Sequence, residues 1–158
     1  DNERKRKRMK ILVFGLPGAG KTWLAERLQK HIPNCAWFNA DRIREMADDW
    51  DFTPEGRLRQ ATRMKNIADF ESANDRYVLS HFVCPTQHTP DIINADITVW
   101  VDTISEGRFD DTNKMFEVPM DFNYHVNHWY SDDEIKALAE HIVEVEEYKK
   151  LAKRYANV

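Results

Sequence analysis

Three of the chain's five glycines, Gly15, Gly18 and Gly20, fall close together, and a lysine and a threonine follow at once. The run Gly15-Leu16-Pro17-Gly18-Ala19-Gly20-Lys21-Thr22 satisfies the spacing G-x-x-x-x-G-K-[ST] in full. Its chemistry is phosphate binding. Glycines let successive backbone N–H groups, those of Ala19 and Gly20 included, converge on phosphate oxygens, and a helix N-terminus adds the positive end of its dipole. Lys21 then suits the β- and γ-phosphates of a nucleotide, and the Thr22 hydroxyl suits Mg²⁺. The expected ligands are ATP and Mg²⁺, with Lys21 also counted as catalytic.

A second group follows at Asn39, Asp41 and Arg44. Asp41 suits a base that accepts the proton of an attacking hydroxyl, or a carboxylate that holds Mg²⁺ through water. It reads equally as the cap of a short helix over 42–48. A third group, Arg57, Gln60 and Arg63, is spaced by threes. That spacing keeps the side chains within roughly a 120° arc of one helix, so they can address one anion. Arginine's planar fork matches phosphate or sulfate oxygens. With Arg59 and Lys65 close by, the same residues also describe a solvated basic face.

The surrounding pattern supplies elements to hold these groups. Lys10–Phe14 is a short apolar run suited to a buried parallel strand. Leu24, Leu28 and Ile32 mark a helix that ends near Pro33. A second strand covers 35–38. Thr53 and Pro54 start a helix that runs to about Asn74, with Gly56 its weak point. Strands are expected at 77–83, 97–101 and 122–126, with a short crossover containing Ile92 and Ile93. The polar stretch 103–121 reads as a lid or binding loop. Ser131-Asp132-Asp133-Glu134 forms a capping box for a last helix, whose buried face carries Ile135, Leu138, Ile142 and Val145. Strands alternating with helices predict a three-layer α/β fold of the P-loop NTPase, nucleotide-kinase-like kind. It has a mainly parallel five-stranded sheet, a short lid, and ligands at the carboxyl ends of the strands. One domain spans 9–158.

Composition narrows the class. The chain has 158 residues, 42 % of them hydrophobic and 32 % charged, enough for one core. A net charge of −4 argues against a dedicated nucleic-acid coat. No apolar run approaches the roughly 20 residues a membrane helix needs, and nothing near the start reads as a signal peptide. Two cysteines, Cys35 and Cys84, make no disulfide framework and suit a reducing cytoplasm. The six histidines complete no zinc set at motif spacing. Residues 1–8, with five basic residues in succession before Met9, read as a poorly ordered extension. The other reading is an arm that attracts nucleic acid or phosphate.

Four ordered segments carry a resemblance. They are the glycine loop, Phe38-Asn39-Ala40-Asp41-Arg42-Ile43-Arg44, Phe52-Thr53-Pro54-Glu55-Gly56-Arg57 with Gln60 and Arg63, and Phe82-Val83-Cys84-Pro85. In order and spacing this set resembles adenylylsulfate kinase over about residues 9–102, in the short form found in phages and marine microbes. The resemblance implies that Asp41 lies near the reacting hydroxyl and that Arg44, Arg57 and Arg63 hold the adenylylsulfate anion. Phe52 would pack on its adenine, with Asn39, Gln60, Phe82, Val83 and Pro85 along the same site. Arg108 and Lys114, the basic residues of the short lid, would neutralise the transferring phosphate. Asn39 stands where the family has an aspartate, Ala40 replaces a glycine, Gln60 an asparagine and Cys84 a serine.

The reaction so implied is ATP-dependent phosphorylation of the 3′-hydroxyl of adenylylsulfate, a small-molecule nucleotide acceptor. Two alternatives stand beside it. One is a kinase of a nucleotide, nucleoside or polynucleotide hydroxyl. The other is a nucleotide-binding module that acts through a partner. A homodimer is an assembly open to it.

Overall fold

The computed structural model describes residues 7–83, 92–104 and 123–156. Five strands form one sheet: β1 (Lys10–Phe14), β2 (Cys35–Asn39), β3 (Tyr77–Phe82), β4 (Ile97–Val101) and β5 (Tyr124–Val126). Their spatial order is β2-β3-β1-β4-β5, and every pair of neighbours runs parallel. The helices are α1 (Lys21–His31), α2 (Ala40–Ala47), α3 (Pro54–Ala73) and α4 (Asp132–Ala156).

Parallel strands covered on both faces are apolar on both, and Ile11–Phe14 of β1 show this; all five residues of the strand are buried, and Lys10 at its start pairs with Asp69 at 2.9 Å. Alternate residues serve different layers. Ile11 and Val13 join Leu79, Val99 and Val126 against Leu24 and Leu28 of α1 and Ile135, Leu138 and Ile142 of α4. Leu12 and Phe14 pack instead with Ile93. Beside them, Ile43 of α2 meets Met64 of α3, with Phe38 and Phe82 packed against the pair. The result is the expected three-layer α/β architecture with β1 at its centre.

Several expectations are refined. The short helix starts at Ala40, not residue 42, and its cap is Asn39, whose Oδ1 accepts from the backbone N–H of Asp41 at 2.9 Å. Asp41 is therefore inside the first turn, and the reading of Asp41 as the cap is corrected. The capping box holds, with Ser131 N donating to Glu134 Oε1 at 3.0 Å and Glu134 N donating to Ser131 Oγ at 3.2 Å. On α4, Ala139 and Glu146 are buried where Val145 is only partly so. Glu146 is a buried charge that ion-pairs with Arg8 at 3.3 Å and Lys150 at 3.0 Å. Arg8 also pairs with Asp75 at 2.8 Å, and its backbone N–H donates to Ser72 O. It belongs to the folded body rather than to a loose extension. Most of the proposed lid, with Arg108 and Lys114, lies outside the described residues, as do Cys84 and Pro85.

Candidate active site

The carboxyl end of β1 runs directly into the glycine loop, which ends at Gly20, the N-cap of α1. Gly20 has φ 98°, a left-handed conformation that disfavours any side chain, and a Cβ there would sit 2.5 Å from the indole of Trp129. Thus the loop is closed on one side by Trp129, which also meets Trp23 edge to face at 5.3 Å. Thr103, just past β4, donates its hydroxyl to Ala19 O at 2.7 Å. Both anchors went unread in the sequence because each is distant along the chain and lacks a motif.

Lys21 is buried and donates its ammonium to Leu16 O at 2.9 Å. Thr22 follows it in the first turn of α1, and its Oγ1 lies 3.2 Å from His81 Nε2. His81 is a residue of β3 that strand alternation places on the same face as Tyr77 and Leu79, under α1. Its Nδ1 accepts a hydrogen bond from the indole N–H of Trp37 at 2.8 Å. Indole nitrogen only donates, so Nδ1 carries no proton and the neutral ring holds its hydrogen on Nε2, facing Thr22. Burial, with the nearby Lys21 charge adding to it, pushes the imidazole down to about 4. Neither Trp37 nor His81 was singled out as a site residue.

These residues fit a nucleoside triphosphate's phosphate chain. The loop has left-handed glycines at Gly18 and Gly20, a buried ammonium, and the N-terminus of an eleven-residue helix. For Mg²⁺ the chain offers the Thr22 hydroxyl. No group of three or more His, Cys, Asp or Glu side chains gathers as a metal cage among the described residues. A cation there would be completed by phosphate oxygens and water, the usual habit of Mg²⁺.

The second half of the site lies around α2, α3 and the loop between them. Asp41 is exposed in the first turn of α2. The arginines find their partners within the protein itself. Arg44 is 4 % exposed, donates to the carbonyls of Asp49 and Asp51 at 2.8 and 3.2 Å, and lies over the Phe52 ring at 4.4 Å. Arg63 pairs with Asp49 at 2.8 Å, and Arg59 holds the same carboxylate at 2.7 and 3.0 Å. Hydrogen bonds from Arg59 and then Arg63 hold the Asp49 carboxyl well below the ordinary carboxylate range. Arg57 donates Nε to Phe52 O at 2.9 Å and flanks the same ring at 5.5 Å.

Gln60 departs most from its expected role. It is fully buried, donates to Ala40 O at 2.8 Å and accepts from Arg63 at 2.5 Å. Those bonds make it a brace between α2 and α3, where the spacing suggested an anion contact. Asn39 is likewise occupied as the cap of α2. Phe82 packs against the α2–α3 cluster, and Val83 is half-buried beyond the strand end. Gly56 supplies a further surprise. A Cβ there would meet Asp51 O at 2.1 Å, so its absence admits the loop that the arginines surround. Its place is a close approach of backbone, which outweighs the helix-propensity cost.

No protein-family model matches the chain, and no curated protein sequence matches it. Solved structures do. The APS kinase CysC of Mycobacterium tuberculosis, in complex with AMPPNP and APS, is similar with a TM-score of 0.69 at 16 % identity, covering 90 % of this chain and 99 % of that one. A gluconokinase from Sinorhizobium meliloti 1021 gives 0.64 at 14 %, covering 94 % and 99 %. Shikimate kinase from Acinetobacter baumannii, in complex with shikimate, gives 0.58 at 16 %, covering 92 % and 97 %. At such identities the likeness is one of fold, and the fold is that of the P-loop kinases: a parallel five-stranded sheet between helices, with the glycine loop after its central strand.

Proposed function

We propose that the chain is an ATP-dependent phosphotransferase acting on a hydroxyl of a small anionic acceptor, with the 3′-hydroxyl of adenylylsulfate as the first candidate. The observation that carries this reading is the loop itself: it follows the central strand directly and leads into buried Lys21 and exposed Thr22 at the start of α1. In this reading the loop amides and Lys21 bind the β- and γ-phosphates, and Thr22 offers its hydroxyl to Mg²⁺. Mg²⁺, when bound, neutralises charge on the phosphate oxygens and aligns them. Asp41 orients the acceptor and takes its proton. The acceptor oxygen forms a bond to the γ-phosphorus, the bond from that phosphorus to the β–γ bridging oxygen breaks, and ADP leaves. Alignment and electrostatics do the catalytic work.

A second reading keeps the donor and changes the acceptor to a nucleotide, nucleoside or polynucleotide hydroxyl. One observation favours it: Arg44 and Arg63, two of the three arginines the resemblance assigns to the adenylylsulfate anion, are held by internal partners. Both readings meet one experiment. ADP release from ATP and Mg²⁺ is measured with and without adenylylsulfate, with Lys21→Ala as the blank. Saturable stimulation supports the first acceptor. Nucleotide binding without stimulation discards it, and nucleotide and DNA-end acceptors are then assayed in its place.

A further inference from the structure

We propose that His81 is a positioning residue for the nucleotide site, orienting the Thr22 hydroxyl through the chain Trp37–His81–Thr22. The proposal rests on the phosphotransferase reading above and deepens it.

The geometry is directional from end to end. The Trp37 indole donates to His81 Nδ1 at 2.8 Å, and this fixes the hydrogen of the neutral ring on Nε2. That hydrogen points to Thr22 Oγ1 at 3.2 Å. A threonine hydroxyl has one proton and two lone pairs. With one lone pair taken by Nε2–H, the other lone pair and the proton are confined to directions away from β3. A hydroxyl that would otherwise rotate is thereby prepared to ligate a cation or donate to phosphate. A carboxylate in the place of His81 would do the reverse and take the Thr22 proton for itself. The chain's anchors are rigid: His81 is 5 % exposed in β3, and Asn39 and Trp37 of β2 are in parallel register with His81 and Leu79. One hydrogen-bond chain thus links β2, β3 and α1 and ends on the Thr22 oxygen.

The test is the equilibrium affinity for ADP, measured by titration calorimetry with Mg²⁺ and with chelator. Wild type is expected to bind ADP more tightly with Mg²⁺. His81→Leu is expected to lose on the order of tenfold of that Mg²⁺-dependent tightening, the worth of one oriented hydrogen bond, with little change in chelator. His81→Gln, whose side-chain amide can reach the Nε2 position, restores most of it. His81→Asn, which reaches only the Nδ1 position, does not. A residue that only fills space would shift both affinities equally, and that result overturns the proposal. So would an unchanged Mg²⁺ increment in His81→Leu.

Should the variants fail to fold, the ring nitrogens of wild type decide the matter. Long-range ¹H–¹⁵N spectra are expected to show His81 with its hydrogen on Nε2, and a hydrogen on Nδ1 overturns the relay. Failure of wild type to bind ADP at all would remove the phosphotransferase reading together with this one. Binding with a normal Mg²⁺ increment in every variant would remove only the relay.

Discussion

The two halves of the site are prepared for negative charge in different ways. At the glycine loop, Lys21 donates to a backbone carbonyl and Thr22 faces a neutral imidazole. Around α2 and α3, Arg59 and Arg63 already hold the carboxylate of Asp49, and Arg44 clasps two carbonyls of the same loop. One half presents a cradle built from backbone. The other carries its own counter-charge. An anionic ligand at the arginine side has to share those guanidinium groups with Asp49 or displace it, so its affinity is a difference between two similar interactions. In the proposed reaction the arginine half would be the place where specificity among acceptors is set.

The largest effect that would sharpen this contrast is at Lys21. Lys21→Ala is expected to lower phosphoryl transfer by about 10³-fold or more while the far-ultraviolet circular dichroism stays native; retained transfer would take the loop out of the chemistry. Next comes Gln60→Leu, which strands the Ala40 carbonyl and one Arg63 donor in a buried setting. A loss of about 1–3 kcal/mol is expected in urea unfolding, and an unchanged midpoint would mean that the brace is dispensable. A smaller effect concerns Asp49→Asn. Freed from a full counter-charge, the arginines should bind inorganic sulfate several-fold more tightly by calorimetry, and equal affinity would show that Asp49 does not compete.

The same carboxylate gives a pH signature. Its value in the folded chain lies below the ordinary 3.8. The folded state therefore binds its proton less readily than the unfolded state, and the stabilisation is full above pH 3.8 and is lost as pH falls below it. The stability difference between wild type and Asp49→Asn should narrow on acidification through that range. A difference that stays constant would show that the ion pairs are solvated and inert.

Much of the architecture was legible because its signals are local. β1 carries the apolar run Ile11–Phe14, Thr53-Pro54 and Ser131–Glu134 are start signals readable within four residues, and the glycine loop is a spacing. The start of α2 was misplaced because Asn39 and Asp41 are both good caps by type, and only the fold decides between them. The threefold spacing puts Arg57, Gln60 and Arg63 on one face of α3, yet the partners of the two arginines come from the loop 49–52. Helical spacing describes one face of α3 and carries no information about what covers it. His81 and Trp37 were invisible for a related reason. Their meeting depends on the register between β2 and β3 and on α1 lying over them, none of which leaves a trace at fixed spacing.

The order of strands has a consequence for how the chain acquires its structure. β1 is made before its partners in the sheet, which begin at Val78 on one side and Ile97 on the other. Every strand pairing here is parallel and distant in sequence, so the central strand gains its hydrogen bonds only after long loops have closed. The glycine loop inherits that delay, because β4 and the Thr103 hydroxyl that hold it also lie late in the chain. On a ribosome, then, the glycine loop emerges before the strands that flank β1 and is held only after they have followed. A nascent chain ending before Thr103 would carry the motif in full and still lack the structure that makes it a site.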